Sequence, residues 1–274
     1  MPAPRARAPR PSRSEIPPAV DVLGLPVRLL TSAELADCLA GRAAQGLRTT
    51  VCYANAHTMN LAARNAAFRS ILTEADLLYA DGASVVWASR FASRRLPERM
   101  TAADWFDDFA ARCAARGLSL YLLGGRNGVA HRAAERLRAL HAGLRIVGSH
   151  HGFFEEADAP RLIAEINARQ PDVLLVGLSS PRQECWLATH EAALRVPVRW
   201  CVGALLDYVA GAEPRAPAAF CRIGCEWLFR FLADPVGKWR RYLVGNPLFI
   251  WNTLRWRLRV KSKRGIAATG TSAG

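Results

Sequence analysis

A carboxyl side chain stands at the end of an apolar run in the stretch LLYADG. This residue is Asp81, and Gly82 follows it directly. An acid that follows buried residues can have a raised pKa and can accept a proton from a reacting hydroxyl group, as a general base does. An acid in this position can instead cap the helix that GASVVWASRF would form. The residue types and their spacing leave both interpretations open.

Two further loops present polar side chains immediately after apolar residues. In the stretch YANAH, Asn55 and His57 follow one apolar run. We take both as candidate substrate-binding residues, although His57 is more typical of a polar loop or a packed core. In the stretch SSPRQECW, Gln183 and Glu184 belong to a helix that would begin near Pro181. These two side chains could contact a ligand, or they could cap that helix and interact favourably with its dipole.

The stretch LYLLGGRNGVAHRAAERL has the order strand, glycine-rich turn and helix. Gly124 and Gly125 follow the strand, and Gly128 opens a helix whose amide dipoles could face a phosphate group. The glycines could also serve only a tight turn between the two elements. An enzyme that binds NAD would place an acid about 20 residues further on, at the end of the next strand. The next run, LRIVGSHHG, ends in serine, histidine and glycine, which disfavours NAD and favours a nucleotide diphosphate.

The elements that must position these residues are apolar runs separated by amphipathic stretches of helical period. The runs span residues 49–55, 118–125, 144–152, 172–180 and 198–207. This alternation predicts an α/β fold with a Rossmann-like, mostly parallel sheet that is covered by helices on both faces. Ligands bind such sheets at the carboxyl ends of the strands. That rule selects the residues that end or follow the runs: Asn55, Gly124, Gly125, Gly152, Ser179, Ser180 and Asp207.

The positive charge of the chain is concentrated at its two ends. The net charge of the 274 residues is +14, and 51% of them are hydrophobic, which suits a globular protein with a sizeable core. Residues 1–20 carry four arginines against one glutamate, and residues 215–264 carry twelve Lys and Arg residues against two acids, which leaves +1 for residues 21–214. We therefore predict a disordered basic tail (1–20), an α/β core (21–214), a basic helical C-terminal appendage (215–262) and a second disordered tail (263–274).

The appendage combines basic residues with four of the eight tryptophans of the chain, Trp227, Trp239, Trp251 and Trp256. No run of about 18 or more uncharged apolar residues occurs in the sequence, so we predict no membrane-spanning helix. Tryptophan rings settle at the depth of lipid headgroups, and each basic residue near anionic lipid contributes about 1 kcal/mol. This composition favours binding to a membrane surface. A charged, solvated helix that packs its tryptophans on the core is the alternative.

The seven cysteines indicate free thiols rather than a metal site. Their number is odd, no Cys-x-x-Cys pair occurs, and most of them lie among apolar residues, as buried thiols in a reducing compartment do. Cys221 and Cys225 are four residues apart and could share a helix face. No second ligand pair with zinc spacing accompanies them. We therefore expect no metal site and no cofactor.

Seven stretches, taken in their order along the chain, resemble the WecG/TagA/CpsF family of glycosyltransferases. They are YANAHTMNLAARNAAFRSILTEADLLYADGASVVWASR, LPERMTAADWF, YLLGGRNGVA, GLRIVGSHHGFF, PDVLLVGLSSPRQECW, VGALLDYVAGAEPRAPAAF and CEWLFRFLADPVGKWRRYL, and the resemblance covers residues from about 22 to 243. It implies an inverting enzyme of bacterial cell-envelope assembly. Such an enzyme moves a sugar, N-acetylmannosamine in the best-known members, from a UDP donor to a polyprenyl-diphosphate-linked sugar. The resemblance also implies a C-terminal appendage that meets the membrane and completes the active site.

The same resemblance implies roles for single residues. Asp81 matches the acid of the family's Asp-Gly motif and would be the catalytic base, with Gly82 beside it, and Asn55 matches the asparagine of a Thr-x-Asn motif. The positions that match the surroundings of the donor nucleotide are Gly124, Gly125, Gly152, Phe153, Gln183, Glu184 and Asp207. The arginines that would face the leaving diphosphate are Arg215, Arg230 and Arg241. Since the chain has no Asp-x-Asp motif, these arginines would replace the metal clamp of many UDP-sugar enzymes, and we expect metal-independent activity.

The chain departs from the family pattern at several positions in the expected pocket wall. Tyr53 replaces the threonine of Thr-x-Asn, and Ser179 replaces the glycine of Gly-x-Pro-x-Gln-Glu. The family's Gly-Gly-x-Phe-Asp reads GALLD, with Ala204 and Leu206 in place of glycine and phenylalanine. These changes leave the reaction type in place, and they leave the donor sugar and the acceptor open.

The expected partners are a UDP-sugar, a polyprenyl-diphosphate-linked acceptor and an anionic membrane surface, with the enzyme peripheral on the inner, cytoplasmic face of a bacterial cell membrane. A nucleic-acid-binding protein is an alternative, because basic residues interleaved with aromatic ones also suit stacking on bases. The near-neutral core argues against that class, and we expect no nucleic acid. A Rossmann-type oxidoreductase is a second alternative, which the missing acid weakens. The sequence leaves open whether the chain forms a homo-oligomer.

Overall fold

The main sheet of the protein has six parallel strands. The structure is a computed structural model that describes residues 16–217, 220–221 and 224–269, with side chains as far as residue 260. In chain order the strands are β1 (Ala19–Val22), β2 (Leu25–Arg28), β3 (Thr49–Ala54), β4 (Leu77–Ala80), β5 (Ser119–Gly124), β6 (Arg145–His150), β7 (Val173–Gly177) and β8 (Val198–Cys201). β1 and β2 form an antiparallel hairpin, and the other six form one parallel sheet in the order β4-β3-β8-β7-β5-β6.

Helices cover both faces of this sheet. They are α1 (Ser32–Ala44), α2 (Ala56–Arg64), α3 (Ala66–Glu74), α4 (Ala83–Ser89), α5 (Ala102–Ala115), α6 (Val129–Leu140), α7 (Ala159–Arg169), α8 (Arg182–Thr189) and α9 (Leu205–Val209). Helices α1, α5, α6 and α9 contribute to the apolar cluster on one face, and α2, α3, α4, α7 and α8 contribute to the cluster on the other. This architecture confirms the predicted α/β fold class.

The strands are nearly continuous apolar runs because both faces of the sheet are covered. Along β3, Val51 and Tyr53 belong to one apolar cluster, whereas Cys52 and Ala54 belong to the other, as the period of two in a strand requires. The largest buried side chain of the sheet is Trp200, whose ring stacks on Trp105 with the ring centroids 5.0 Å apart. These two packed layers fix the carboxyl ends of the strands in one rigid edge.

Three details of the predicted organisation differ from the structure. The strand predicted over 198–207 ends at Cys201, and its second half forms helix α9, since an apolar run this short does not distinguish a strand from a buried helix. β1 begins at Ala19, so the predicted N-terminal tail is two residues too long; residues 1–15 lie outside the described residues. The last helix continues to Thr269, so the first part of the predicted C-terminal tail, up to 269, is helical; residues 270–274 lie outside the described residues.

The C-terminal appendage is helical, as predicted. It contains α10 (Glu226–Ala233), α11 (Pro235–Trp239), a π-helical turn (Arg240–Val244) and α12 (Gly245–Thr269). α12 docks on α2 through Asn60, whose amide donates to the carbonyl oxygen of Gly245 at 2.7 Å and whose Oδ1 accepts from Asn252 at 3.1 Å. Phe249 is buried in the core cluster beside this contact. Within the residues that the structure describes, no helix is both long enough and apolar enough to span a bilayer.

The outer surface of α12 carries an apolar stripe, which we define as Ile250, Trp251, Leu254 and Leu258. Their side chains are 47%, 58%, 40% and 68% exposed. Their spacing of one, three and four residues places them on one face of the helix. Phe249 and Thr253, on the opposite face, are buried against the core. The helix therefore presents apolar side chains to its outside as well as to the core.

Candidate active site

Asp81 lies at the carboxyl end of the edge strand β4. Its backbone N–H donates to Ala54 on β3 at 2.8 Å, and its backbone forms a bridge with Met100. The cap of helix α4 is Gly82, which has a φ of 88°, and no side chain makes a capping hydrogen bond there. The helix-capping role that the sequence left open for Asp81 is therefore wrong. Its carboxylate instead faces the cavities described below.

The electrostatic surroundings of Asp81 suit a base. Burial raises the pKa of this carboxyl group above its ordinary value. The cation of Arg230 and the hydrogen bond from Asn55 oppose that shift, while Glu226 adds to it and Arg241 again opposes it. A carboxylate with a raised pKa binds a proton more strongly than an ordinary one, which helps a general base. Two cations beside it keep the ionised form accessible.

Asn55 is held between a helix end and the carboxylate. It is the N-cap of α2, where its Oδ1 accepts from the backbone N–H of Thr58 at 3.0 Å. This bond orients the amide so that Nδ2 donates to Asp81 Oδ2 at 3.2 Å. His57, in the first turn of the same helix, lines both cavities. Burial, and secondarily Arg241, lowers the pKa of His57, so its imidazole is neutral at pH 7.

Two cavities meet at Asp81. The larger one has a volume of about 440 Å³ and lies between the core and the appendage, with Trp87, Trp227, Phe249 and Ile250 among its apolar walls. The smaller one has a volume of about 100 Å³ and lies over the carboxyl ends of the inner strands, with backbone and hydroxyl groups of Ser179, Ser180 and Gly203 in its wall. Six residues line both cavities: Asn55, His57, Asp81, Thr101, Arg230 and Arg241. A group in either cavity can therefore approach the same carboxylate.

A buried hydrogen-bond network supports the smaller cavity. Gln183 Nε2 donates to the Tyr53 hydroxyl at 3.1 Å and to Glu184 Oε1 at 2.9 Å, and its Oε1 accepts from the backbone of Gly203 at 3.0 Å. Ser180 Oγ donates to Glu184 Oε1 at 2.7 Å. Within the described residues, α8 has no side-chain capping hydrogen bond, and Gln183 and Glu184 instead connect the ends of β3, β7 and β8. Glu184 also lies in the first turn of α8, where an acid interacts favourably with the helix dipole. Burial raises the pKa of Glu184.

The glycines beyond the network allow close backbone packing. A Cβ at Gly124 would lie 2.5 Å from the carbonyl oxygen of Gly177, and one at Gly125 would lie 2.5 Å from Val129 Cγ1. Gly152 packs against the same pair and donates to the Gly125 carbonyl at 2.8 Å. This packing accounts for the tight turn that the sequence offered as one interpretation. The contact of Gly124, Gly125 and Gly152 with a donor nucleotide stays a prediction.

The other predicted donor-site residues lie toward the far side of the sheet. Strand β5 is four places from β4, or about 19 Å at the usual strand spacing. Asp207 Oδ1 would lie 3.4 Å from a Cβ at Gly125. Phe153 follows β6, and its side chain is 66% exposed. Neither residue, nor Gly124, Gly125 or Gly152, lines the two cavities at Asp81.

The three predicted arginines fall in two groups. Arg230 and Arg241 line both cavities, and Arg230 also stacks over the ring of Tyr208 with 5.2 Å to the centroid. Arg215 lines neither cavity, and it forms an ion pair with Asp104. The structure thus brings Arg230 and Arg241 to Asp81 but holds Arg215 at the outer surface.

Arg99 is a residue at the site to which the sequence assigned no role. Its guanidinium pairs with Asp104 and with Glu226, each at 3.0 Å, so it links the core to α10. Glu226 in turn lines the larger cavity. The stretch LPERMTAADWF contributed to the family resemblance, but a charged pair that joins residues 127 positions apart leaves no local signal.

The described part of the chain contains no group of three or more His, Cys, Asp or Glu side chains that could hold a metal ion. All seven cysteines are free. Cys52, Cys113 and Cys201 are buried, as the sequence indicated, whereas Cys185 is exposed. The thiols lie outside the walls of both cavities.

A parallel sheet with an acid between two cavities at its carboxyl edge is a layout typical of α/β enzymes. The family model of the Glycosyl transferase WecG/TagA/CpsF family matches residues 20–263. The chain belongs to this family and is a glycosyltransferase, which confirms the resemblance found in the sequence.

The names of similar proteins support the same class. The N-acetylglucosaminyldiphosphoundecaprenol N-acetyl-beta-D-mannosaminyltransferase of Staphylococcus aureus strain NCTC 8325 / PS 47 is 27% identical over 251 residues, which cover 89% of this chain and 96% of the relative. The enzymes of that name from strains COL and MSSA476 match with the same identity and coverage. The similarity thus extends over nearly the whole length of both proteins.

Proposed function

We propose that this glycosyltransferase moves N-acetylmannosamine, or a related hexose, from a UDP-sugar to a polyprenyl-diphosphate-linked N-acetylglucosamine, with inversion at the anomeric carbon. The observation that carries the proposal is the position of Asp81 between a small polar cavity and a larger apolar one. The name of the staphylococcal relatives states a lipid-linked acceptor of this kind and a transferred N-acetylmannosaminyl group.

The donor fits the carboxyl edge of the sheet. The smaller cavity offers hydroxyl and backbone groups for a sugar, and Arg230 and Arg241 stand beside it with charges that suit a diphosphate. From there the strand ends lead toward Gly124, Gly125 and Asp207, where we place the nucleoside. This is the usual side on which parallel sheets bind nucleotides.

The acceptor fits the larger cavity. Its tryptophan, phenylalanine and isoleucine side chains suit the first isoprene units, and Arg230 and Arg241 can also reach the acceptor's diphosphate. The apolar stripe of α12 begins at Ile250, which lines this cavity. A lipid held in a bilayer would therefore find a continuous apolar path to Asp81.

The reaction in this arrangement is a single displacement. The acceptor hydroxyl oxygen attacks the anomeric carbon as its proton passes to the Asp81 carboxylate, and the bond to the UDP oxygen breaks. Arg230 and Arg241 stabilise the charge that develops on the departing diphosphate. Attack opposite the leaving group inverts the anomeric centre. An α-linked donor would give a β-linked product, which is the linkage in the name of the staphylococcal enzymes.

The appendage supports attachment to the inner face of a bacterial membrane. Nine large hydrophobic side chains between Leu232 and Leu258 are exposed, and Trp239 and Trp251 are two of them. Arg240, Arg241, Arg255 and Arg259 are exposed among these side chains. Tryptophan and arginine together suit an anionic lipid surface. Such attachment would place the enzyme where both a cytoplasmic nucleotide sugar and a membrane lipid are available.

The expected chemistry needs no metal ion. Arg230 and Arg241 line the smaller cavity, where their charges would neutralise the diphosphate in place of a metal ion. Turnover should therefore persist in excess EDTA, measured as UDP release. A complete loss of activity that magnesium or manganese restores would contradict this part of the proposal.

The proposal is tested by incubating the protein with a panel of UDP-sugars and a polyprenyl-diphosphate-GlcNAc analogue. We expect UDP release with UDP-N-acetylmannosamine that depends on the acceptor, and a β-linked disaccharide by nuclear magnetic resonance. An α-linked product would contradict inversion. Absence of transfer from every UDP-sugar in the panel would contradict the donor class.

A further inference from the structure

A loop of the core carries an unusual concentration of positive charge. Arg90, Arg94 and Arg95 follow helix α4, and no acidic residue occurs between positions 82 and 97. We call residues 90–95 the arginine loop. All three arginines are exposed, and within the described residues none of them forms an ion pair or a side-chain hydrogen bond. The core as a whole is near neutral, so these charges are a local feature rather than part of a general basic surface.

The arginine loop adjoins the apolar stripe of α12. Phe91, within the loop, lies under the guanidinium of Arg257, with 4.6 Å from Arg257 Cζ to the ring centroid. Arg257 follows Leu254 by three residues, so the two side chains lie close together on one side of the helix. The contact therefore sets the loop beside the exposed apolar side chains of the stripe.

The same loop also borders the larger cavity. Phe91 makes an edge contact with Trp87, with the ring centroids 5.5 Å apart, and Trp87 lines that cavity. A few residues further on, Arg99 pairs with Glu226 of α10. The segment is thus held against the appendage at both ends, and Phe91 of the loop contacts a residue in the wall of the larger cavity.

We propose that the arginine loop is a second membrane contact, which binds the headgroups of anionic phospholipids while the apolar stripe enters the lipid. This inference rests on the proposed function, since it describes how the enzyme meets the membrane that holds its acceptor. Guanidinium groups suit phosphate oxygens, because their fork of N–H donors can bond two oxygens at once. Because the arginine loop belongs to the core and the apolar stripe belongs to the appendage, the bilayer would lie against the boundary between the two regions. The larger cavity then opens toward the lipid.

The test compares two triple variants of the full chain. The first is Arg90→Gln with Arg94→Gln and Arg95→Gln. The matched control is Arg161→Gln with Arg169→Gln and Arg195→Gln, three exposed arginines on α7 and after α8 that lose the same charge. α7 follows β6, the edge strand opposite β4, and the backbone N–H of Arg195 donates to Asn167 on α7, so the control residues lie away from the β4 edge of the sheet. Binding to phosphatidylglycerol vesicles and to phosphatidylcholine vesicles is measured by co-sedimentation at low salt.

We expect the loop variant to bind phosphatidylglycerol vesicles up to about a hundredfold more weakly than the parent. The control should lose much less, and neither variant should change on phosphatidylcholine. Equal losses in the two triple variants would overturn the proposal, because they would show a response to net charge alone. Parent-like binding by the loop variant would also overturn it.

Two further measurements keep the result interpretable. UDP release with a short, water-soluble acceptor should be the same for the loop variant and the parent, so failure of the lipid contact and failure of the proposed reaction are told apart. If the triple variant does not fold, Arg94→Glu alone should still weaken phosphatidylglycerol binding, and parent-like binding by it would overturn the inference. A loss of affinity for single-stranded RNA without any change on vesicles would overturn it in favour of a nucleic-acid surface.

Discussion

The core and the appendage differ in how far their large apolar side chains are exposed. In the core, strands β3, β4, β5, β7 and β8 are buried almost throughout, and only Leu140 and Phe153 are exposed among its described large hydrophobic side chains. In the appendage, nine such side chains are exposed along about 30 residues. Exposed apolar area of this extent marks a binding surface. The difference teaches that the core buries its apolar side chains within itself, whereas the appendage leaves many of them exposed, and Asp81 lies where the two regions meet.

The largest expected effect tests the contribution of the core. Asp81→Asn should lower turnover by about 10²–10⁴-fold, the usual range for the loss of a general base. Asparagine keeps the shape of the side chain, so the melting temperature and UDP affinity should stay close to those of the parent. Turnover is measured as UDP release. Asp107→Asn, an exposed acid on α5, is the control and should be neutral. Parent-like turnover of Asp81→Asn would remove this residue from the mechanism.

The next effect tests the contribution of the appendage. Arg230→Gln should lower the turnover number by about 10²–10³-fold, as the loss of one transition-state donor does. Arg215→Gln should change it by less than about fivefold, since Arg215 forms only a partly exposed ion pair with Asp104. Turnover numbers with a water-soluble acceptor measure both. Equal losses would show that Arg215 contacts the diphosphate, as the family resemblance implies. The ion pair between Arg215 and Asp104 would then have to break during turnover.

A smaller expected effect distinguishes binding to the membrane from catalysis. Trp251→Ala with Leu254→Ala should weaken binding to anionic vesicles by about tenfold or more, because two large apolar side chains no longer enter lipid. UDP release with a water-soluble acceptor should not change. Leu140→Ala is the control, since Leu140 is equally apolar and 69% exposed but belongs to the core. If Leu140→Ala weakened vesicle binding as much as the double variant does, the exposed side chains of the appendage would not be a specific lipid-binding surface.

The smallest effect concerns pH. Asp81 must be ionised to accept a proton, and burial raises its pKa, so activity should fall as the pH drops through that raised value. Asn55→Ser removes the hydrogen bond that favours the ionised form but keeps a side chain that can cap α2. The acid limb of the activity profile should therefore move to higher pH.

Asn65→Ser is the matched control for this shift. Asn65 caps α3 through Phe68 in the same way that Asn55 caps α2, but it makes no contact with Asp81. Its pH profile should coincide with that of the parent. A shift of the Asn55→Ser profile to lower pH would show that another group controls the acid limb.

Sequence reasoning predicted the parts of the fold that depend on local patterns. Strands β3, β4, β5 and β7 are mainly apolar runs with a polar residue or glycine at their end or directly after it, and Asp81 and Asn55 stand where that pattern places them. The strand predicted for the second half of the run at 198–207 was wrong, because a short apolar stretch suits a strand and a buried helix equally. The sequence pattern did not predict the hairpin of β1 and β2, whose strands have only four residues each.

The site was less predictable than the fold, because it forms across long sequence distances. Glu226, Arg230 and Arg241 reach Asp81 only when the appendage docks on α2 through Asn60 and Asn252. The family resemblance supplied Arg230 and Arg241, but no local pattern marked the Arg99–Glu226 pair or the cavity beside Trp87. The position of Arg215 likewise depends on its partner Asp104, 111 residues away.

The order of the strands has a consequence for how such enzymes diverge. Asp81 ends an edge strand, whereas loops of the inner strands β3, β7 and β8 build the smaller cavity. An inner strand is bonded to neighbours on both sides, so a substitution there disturbs two partners at once. The larger cavity is enclosed mainly by helices, which drift in sequence at lower cost to the sheet. In evolutionary terms, lineages with this layout should diversify their acceptors faster than their donors, while the acid at the edge persists.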